Sequence, residues 1–270
     1  MQDVDCVRFL QWALPRMQMR WAGFRKVRNQ VCKRLSRRLT ELELANIEAY
    51  QQLLTRQPDE WQKLDSLCRV VVTRFYRDKL VFTRLTENLL PQLAVATSAE
   101  GRENINIWNI GSASGEEAYT LAILWQQLLA PHFTGLKLAI LGTEIEISLL
   151  KRSQKACYAG GTIKNLPPAL RSAAFNQKND DYCLKPQYQA MVEFRQQDIR
   201  TELPDKTFDL ILCRNLVFTY FDESLQQTTL QRMLTRLRPG GWLIVGVRER
   251  LPAGAGGLTV VSERLGFYQR

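Results

Sequence analysis

The segment with the most chemical content is Ile107-Trp108-Asn109-Ile110-Gly111-Ser112-Ala113-Ser114-Gly115-Glu116-Glu117. An apolar run passes into small residues and then into two adjacent acids. Small side chains let a ligand approach the backbone closely, and the start of a following helix offers free N–H groups. Loops of this kind also serve nucleotide folds. The next apolar run ends in Gly142-Thr143-Glu144-Ile145-Glu146. An acid at the tip of a second strand can accept hydrogen bonds from both hydroxyls of a ribose. Glu144 follows Gly111 by 33 residues, further than the spacing of about 20 in the dinucleotide fingerprint. Ala113 and Glu116 also break the pattern G-x-G-x-x-G, and no Walker lysine follows Gly115.

Two acids at a helix start would repel a pyrophosphate. They suit a cationic ligand such as S-adenosylmethionine (SAM), with its ammonium and sulfonium groups. Taken alone, Glu116 and Glu117 also read as favourable charge at a helix N-terminus. Asp198 follows a third strand, where residues can lie beside a bound base, and it reads equally as an ordinary loop acid. Cys213-Arg214-Asn215 closes a fourth strand, and polar side chains at that rim can face the ligand crevice of an open α/β sheet. The six cysteines show no C-x-x-C spacing and His132 is the single histidine. A metal site is therefore not expected. Scattered cysteines read as free thiols in a reducing cytosol.

These residues need elements to hold them. Ile105–Ile110, Leu136–Leu141, Val192–Phe194, Phe208–Cys213 and Trp242–Val247 read as strands. Glu116–Leu129, Ile147–Tyr158 and Glu223–Leu237 read as helices, the first with Ala118, Leu121, Ala122, Trp125, Leu128 and Leu129 at helical spacing. Arg238-Pro239-Gly240-Gly241 reads as the stop of the third. Alternation of strands and helices implies βαβ units in a doubly wound, mainly parallel sheet. Residues 1–95 read as helical, and Thr97-Ser98-Ala99-Glu100-Gly101 reads as the loop between two domains, 1–95 and 96–270.

The formal charge of +10 is uneven: residues 1–90 hold 17 Lys/Arg against 10 Asp/Glu. Val27, Val31, Leu35 and Leu39 recur every four residues, while Arg25, Lys26, Arg28, Lys33, Arg34, Arg37 and Arg38 fill much of the remainder of 25–38 with no acid among them. Such a helix is either a solvated face or a surface for an acidic partner. The first 20 residues hold no apolar run suited to a signal peptide or a membrane span, so a cytoplasmic protein without membrane insertion is expected.

Together these residues resemble the CheR-type chemotaxis receptor methyltransferases, which methylate receptor glutamates. Thr73 with Phe75-Tyr76-Arg77-Asp78 resembles the family's Thr-x-Phe-Phe-Arg-Asp/Glu segment. Ser114-Gly115-Glu116-Glu117-Ala118-Tyr119 resembles its Gly-Glu-Glu-Pro-Tyr helix start. Phe208–Asn215 is close to its Phe-Asp-x-Ile-x-Cys-Arg-Asn strand, and Tyr220-Phe221-Asp222 and Leu237-Arg238-Pro239-Gly240-Gly241 follow in order. Residues 25–55 resemble its N-terminal helical domain, including Tyr50-x-x-Leu53. The combination is specific although each piece alone is not.

The resemblance implies a Rossmann-like SAM methyltransferase domain behind an all-helical one. It implies that Thr73 and Arg77 reach over the cofactor, that Gly111 belongs to its loop, and that Glu117 takes the methionine end and Glu144 the ribose. Asp198 and Ile199 would border the adenine, with Arg214 and Asn215 completing the pocket. Arg77 would orient the acceptor carboxylate and Tyr220 would shape the methyl-transfer site. The basic helix 25–38 would meet an acidic helical protein, in the manner of a chemoreceptor.

The sequence departs from the family at several points. Val71 stands in place of Asn, and one extra residue before Tyr220 leaves Thr219 or Tyr220 for the tyrosine position. Gly246-Val247-Arg248-Glu249 replaces Gly-His-Ser-Glu, and Phe175–Phe194 looks short for a β-subdomain. Two rival readings are a SAM-binding interaction module and a nucleic-acid methyltransferase. The second lacks the Asn/Asp-Pro-Pro-Tyr/Phe segment, since Pro167-Pro168 is followed by Ala169, and no nucleic acid is expected as partner.

Overall fold

A computed structural model describes residues 2–254 and 256–270. The chain divides into two compact units: residues up to Val72 with Thr219–Gln226, and Thr73–Phe218 with Gln227–Arg270.

The first unit is helical. Asp3–Ala13, Arg28–Glu41, Ile47–Arg56 and Asp59–Cys68 are its longer helices. The four-residue repeat behaves as its spacing requires: Val31, Leu35 and Leu39 are buried, and Val27 packs against the same core. The acids missing within 25–38 arrive from elsewhere in the unit. Arg28 pairs with Asp3 at 3.1 Å and Arg37 with Glu41 at 3.6 Å. Arg34 donates to the carbonyls of Leu67 and Arg69. Arg38 forks onto both oxygens of Glu60 at 2.9 and 2.8 Å, and the buried Tyr50 hydroxyl donates to the same carboxylate at 2.8 Å. Among the described residues Arg25, Lys26 and Lys33 make no ion pair.

The second unit is built on a seven-stranded sheet in the order β6-β2-β1-β7-β8-β10-β9. Its strands are β1 (Asn104–Ile110), β2 (Lys137–Glu144), β6 (Val192–Gln196), β7 (Phe208–Cys213), β8 (Leu237–Val245), β9 (Thr259–Ser262) and β10 (Phe267–Gln269). β6, β2, β1, β7 and β8 run parallel, and β10 and β9 are antiparallel additions. The chain leaves β1 for β2 and β6 on one side and returns to β7 on the other. The strand order therefore reverses at β1, and in such sheets the crevice at the carboxyl ends of the strands beside the reversal takes the ligand.

Several boundaries differ from the sequence expectation. Val81, Phe82, Leu85, Leu89, Leu90, Leu93 and Ala94 share one core with Ile105, Leu121 and Leu210. The division between compact units therefore falls at Val72, not in 97–101: the helix Leu90–Ala99 runs through most of that stretch, and Gly101 turns out of it at φ 67°. Leu128 is exposed although its spacing placed it on the buried stripe. A π-turn at Trp125–Leu129 follows the helix Glu116–Leu124 and shifts the face by one residue. The helix Ile147–Lys155 stops at Ala156, which takes a left-handed φ of 50°. The chain then forms β3 (Cys157–Ala159), which joins β4 (Phe175–Lys178) and β5 (Asp181–Leu184) in a three-stranded antiparallel sheet, β3-β5-β4. The stretch from Phe175 looked short because one of the three strands comes from upstream, out of residues read as helix.

The expectation of free thiols holds only for the buried Cys68 and Cys213. Cys6 and Cys32 form a disulfide in the first unit, and Cys157 and Cys183 form one in the second. Each pair is 26 residues apart, and folding alone makes them neighbours; Cys157 and Cys183 are direct register partners across β3 and β5. No helix among the described residues is long and apolar enough to cross a membrane.

Two measurements check this fold. Thiol titration of unfolded, unreduced protein should count the two free cysteines, and all six after reduction; six at the outset would dismiss both bridges. In the first unit, Arg38 and Tyr50 hold the Glu60 carboxyl below the usual carboxylate range. Its contribution is present above the unfolded value and is lost as pH falls through the folded one. Glu60→Gln should cost about 1.5–3 kcal/mol at neutral pH, the range for hydrogen bonds to a charged group, with the deficit shrinking in acid when urea unfolding is followed.

Candidate cofactor site

The carboxyl ends of four parallel strands carry the residues that the sequence singled out. Gly111 follows β1, Glu144 ends β2, Asp198 lies two residues past β6, and Arg214 follows β7. All belong to the second unit.

The loop after β1 takes its shape from backbone conformations that few residues adopt. Gly111 and Gly115 lie at φ 66° and 91°, and Ala113 between them at 49°. A Cβ on Gly115 would come within 3.0 Å of Phe194, Ser153 and Tyr119. Glycine is therefore required there both for φ and for space. Gly115 then caps the helix Glu116–Leu124. The Ser112 N–H donates to the Thr143 carbonyl at 3.0 Å, and the Ala113 N–H to the Glu144 carboxylate at 3.0 Å. Glu144 also accepts from the N–H groups of Ile145 and Glu146. It thus ties the loop to the tip of β2 through three backbone donors.

The two adjacent acids are set apart by their surroundings. Glu116 is 1% exposed. It accepts hydrogen bonds from the Ser114 hydroxyl at 2.9 and 3.1 Å and from the Thr73 hydroxyl at 3.2 Å. Burial outweighs those donors and pushes its pKa up. Glu117 instead accepts from Asn109 Nδ2 at 2.8 Å and pairs with Arg214 Nη1. Arg214, its side chain 1% exposed, reaches with Nη2 to Asp78 at 2.5 Å and to the Arg77 carbonyl at 3.5 Å. Its guanidinium carbon lies 5.6 Å from the Phe82 ring centre. The structure thus joins Glu117, Arg214 and the Thr73–Asp78 segment. It places Thr73 on Glu116, the acid to which the family resemblance assigned no role.

That segment is anchored from below. The Phe75 ring meets Tyr158 and Phe175 edge-on at 4.9 and 5.3 Å, and its N–H donates to the Thr162 carbonyl. The Tyr158 hydroxyl in turn donates to the Ser114 carbonyl at 2.6 Å. Asn215, at φ 57°, is held by Glu249, whose carboxylate accepts from the N–H groups of Asn215 and Gly246. Asp198 engages Arg200 at 2.8 Å, and Ile199 is buried.

Sequence reasoning missed Asn109, Asp78, Tyr158 and Glu249 as supports. Asn109 carried a signal, since a polar residue in a buried strand needs a partner. The others become visible only through tertiary contacts. Tyr220 belongs to the first unit, where its ring meets Phe24 at 5.0 Å and its carbonyl accepts from the Arg20 N–H. The Thr219 carbonyl lies 2.2 Å from where a Cβ on Gly23 would stand. A cavity of about 910 Å³ in the first unit, lined by Trp12, Arg16, Glu48, Leu54 and Trp61 among others, contains no residue that the sequence proposed for a site.

The donor set fits SAM. Buried Asn109 Oδ1, Ser112 Oγ, Gln197 Oε1 and Arg214 Nε have no partner among the described residues, and all four lie at the carboxyl ends of β1, β6 and β7. Buried polar atoms of this kind call for a polar ligand or water. Glu117 and Glu144 offer carboxylates for an ammonium and a ribose diol, and no metal-binding cluster occurs among the described residues.

This strand order, with a small-residue loop after the first strand and an acid at the tip of the second, defines the SAM-dependent methyltransferase class. Residues 71–265 match the family model described as CheR methyltransferase, SAM binding domain, and residues 26–65 match CheR methyltransferase, all-alpha domain. The chain belongs to the CheR methyltransferase family. A chemotaxis protein methyltransferase of Borreliella burgdorferi is 30% identical over 223 residues, which cover 81% of this chain and 78% of that one. An uncharacterized 104.1 kDa protein of Rhodobacter capsulatus is 29% identical over 239 residues, 88% of this chain, and the chain spans 25% of that protein's length. The crystal structure of the glycopeptide N-methyltransferase MtfA complexed with SAM aligns over 57% of this chain and 52% of its own, with 12% identity and a TM-score of 0.34.

Glu116 gives a test of the site's electrostatics. Its folded pKa lies above the ordinary 4.5. The folded state is therefore most favoured when Glu116 is protonated and loses stability as pH rises through the folded value. Glu116→Gln should remove that loss, so urea unfolding should favour the variant increasingly as pH rises above the ordinary glutamate value. Parallel curves would show a carboxyl that the folded state does not perturb.

Proposed function

We propose that this protein transfers the methyl group of SAM to glutamate carboxylates of an acidic, helical, chemoreceptor-like protein in the cytoplasm. The observation that carries the cofactor half is the pairing of Glu117 with Arg214 and Asn109 at the mouth of the loop after β1. In this reading Glu117 takes the ammonium of the methionine end and Glu144 the ribose hydroxyls. Asp198 and Ile199 border the adenine, and Thr73, Arg77, Gly111, Arg214 and Asn215 complete the pocket.

SAM, when bound, supplies an electrophilic methyl group on a sulfonium. A carboxylate oxygen forms a bond to that carbon as the carbon–sulfur bond breaks, giving a methyl ester and S-adenosylhomocysteine. A glutamate is already ionised near neutral pH, so no general base is needed. The protein contributes proximity, alignment and exclusion of water. Arg77 is assigned to the acceptor carboxylate and Tyr220 to the methyl-transfer site, each to be tested by its own substitution.

Support for an acidic acceptor comes from the helix Arg28–Glu41 and the residues before it. Arg25, Lys26, Lys33 and Arg37 are exposed, and three of these four have no ion pair among the described residues.

Calorimetry with SAM and S-adenosylhomocysteine should show micromolar binding that Glu144→Ala weakens by about tenfold or more, as expected for a lost charge-assisted hydrogen-bond pair. Transfer of labelled methyl to an acidic helical protein should appear as base-labile ester. Labelling of nucleic acid instead would overturn the acceptor, and absence of binding would overturn the cofactor.

A further inference from the structure

The cavity of about 910 Å³ is walled by residues of the first unit alone, and the methyl transfer proposed above makes no use of it. Trp12, near the end of the helix Asp3–Ala13, and Trp61, in the first turn of Asp59–Cys68, line it with half-buried indoles. Their rings lie 5.6 Å apart at a tilt of 33°. Rings in contact at that distance leave no slot for a third between them, so a flat ligand would stack on their outward surface. The Trp61 ring is fixed by its Nε1–H, which donates to the Leu54 carbonyl at 2.9 Å. Arg16 is fixed as well. Its guanidinium carbon lies 4.3 Å from the Trp12 ring centre, and Nη1 donates to the Trp12 carbonyl at 2.6 Å. No carboxylate pairs with it among the described residues. Its remaining N–H groups are thus held in place and uncommitted, which suits a phosphate. The helix Ile47–Arg56 supplies the rest of the wall. Glu48, Gln51 and Gln52 stand at i, i+3 and i+4 and so share one side of that helix. Their side chains make no hydrogen bond or ion pair among the described residues.

We propose that this cavity is a second ligand site, for a free guanine nucleotide: the base stacks on the tryptophan pair, its Watson–Crick edge meets Glu48, and its phosphate meets Arg16. A guanidinium and a carboxylate in one cavity ask for a ligand with an anion at one end and donors at the other. A carboxylate only accepts hydrogen bonds, through two oxygens side by side. Guanine is the nucleobase whose Watson–Crick edge presents two adjacent N–H donors, at N1 and N2, which match those oxygens. The amides of Gln51 and Gln52 can donate to its O6. Adenine turns a lone pair at N1 toward the same carboxylate, which repels it. Stacking on an aromatic ring favours every base alike, so the choice among bases falls to Glu48.

The test uses the full chain with GMP, guanosine and AMP as probes, followed by calorimetry and by tryptophan fluorescence, which a stacked base quenches. GMP should bind about tenfold or more tighter than guanosine or AMP, the scale of one charge-assisted hydrogen-bond pair. Arg16→Gln should bring GMP down to the affinity of guanosine, and Glu48→Gln should erase the preference over AMP. Both side chains are exposed, and circular dichroism checks that the variants fold. Saturating S-adenosylhomocysteine should leave the GMP affinity unchanged, and competition would place GMP in the cofactor site and overturn the proposal. Absence of GMP binding would overturn it too, as would equal affinity for GMP and guanosine or an unaltered profile in both variants. Tighter binding of a short oligoguanylate than of GMP would assign the cavity to nucleic acid and overturn the free nucleotide. Failure of the cofactor reading would leave this inference standing, since no residue is shared between the two sites.

Discussion

A guanidinium with 1% of its side chain exposed is costly to bury without partners, and most of the second unit's site follows from supplying them to Arg214. One partner, Glu117, comes from the helix that the loop after β1 begins. The other, Asp78, comes from a segment that must turn through left-handed backbone at Tyr76 and Asp78 to present it. Such a turn persists only where the surroundings over-determine it. Phe75 supplies that restraint by wedging between Tyr158 and Phe175, which ties the segment to the small antiparallel sheet. Tyr158 then reaches the loop itself through Ser114. Ion pair, loop and segment are one linked object.

The same linkage explains why two neighbouring acids behave differently. Glu116 turns into the protein, where hydroxyls are its donors and burial dominates. Glu117 meets cationic and amide donors and keeps 19% of its side chain exposed. A hydroxyl donates a single weak bond to a carboxylate, whereas a guanidinium brings charge as well. One acid is therefore held by hydroxyls inside the loop, and the other by the amide of Asn109 and the guanidinium of Arg214.

The sequence made the sheet legible because parallel strands buried on both faces read as continuous apolar runs. It made the loop and the tips of β1, β2, β6 and β7 legible because Gly, Ser and acids interrupt those runs abruptly. It failed where local pattern and tertiary need diverge. The π-turn at Trp125–Leu129 rotates a helix face without changing its composition. β3 was hidden in an apparent helix because only its pairing with β5 makes it a strand. The division at Val72 was missed because the helices after it look like those before it, and only the core they share with Ile105 and Leu210 assigns them. Asp78 and Tyr158 were invisible as supports because their partners lie 136 and 44 residues away.

Charge in the first unit shows how far composition can mislead. Seven cations without an acid in one stretch suggested either a solvated face or a surface for an acidic partner. The fold instead returns Asp3, Glu41 and Glu60 to that stretch and gives carbonyls to Arg34. Arg38, bound by a carboxylate that also holds the buried Tyr50, works as a structural residue. Its basicity is unavailable to a partner without dismantling that core contact. The cations left over, Arg25, Lys26 and Lys33, are strongly exposed, and Arg37 keeps only a long 3.6 Å pair. Exposed charges act within about a Debye length and weaken with salt. The acidic acceptor proposed above would therefore feel only a weak, salt-sensitive attraction from this face.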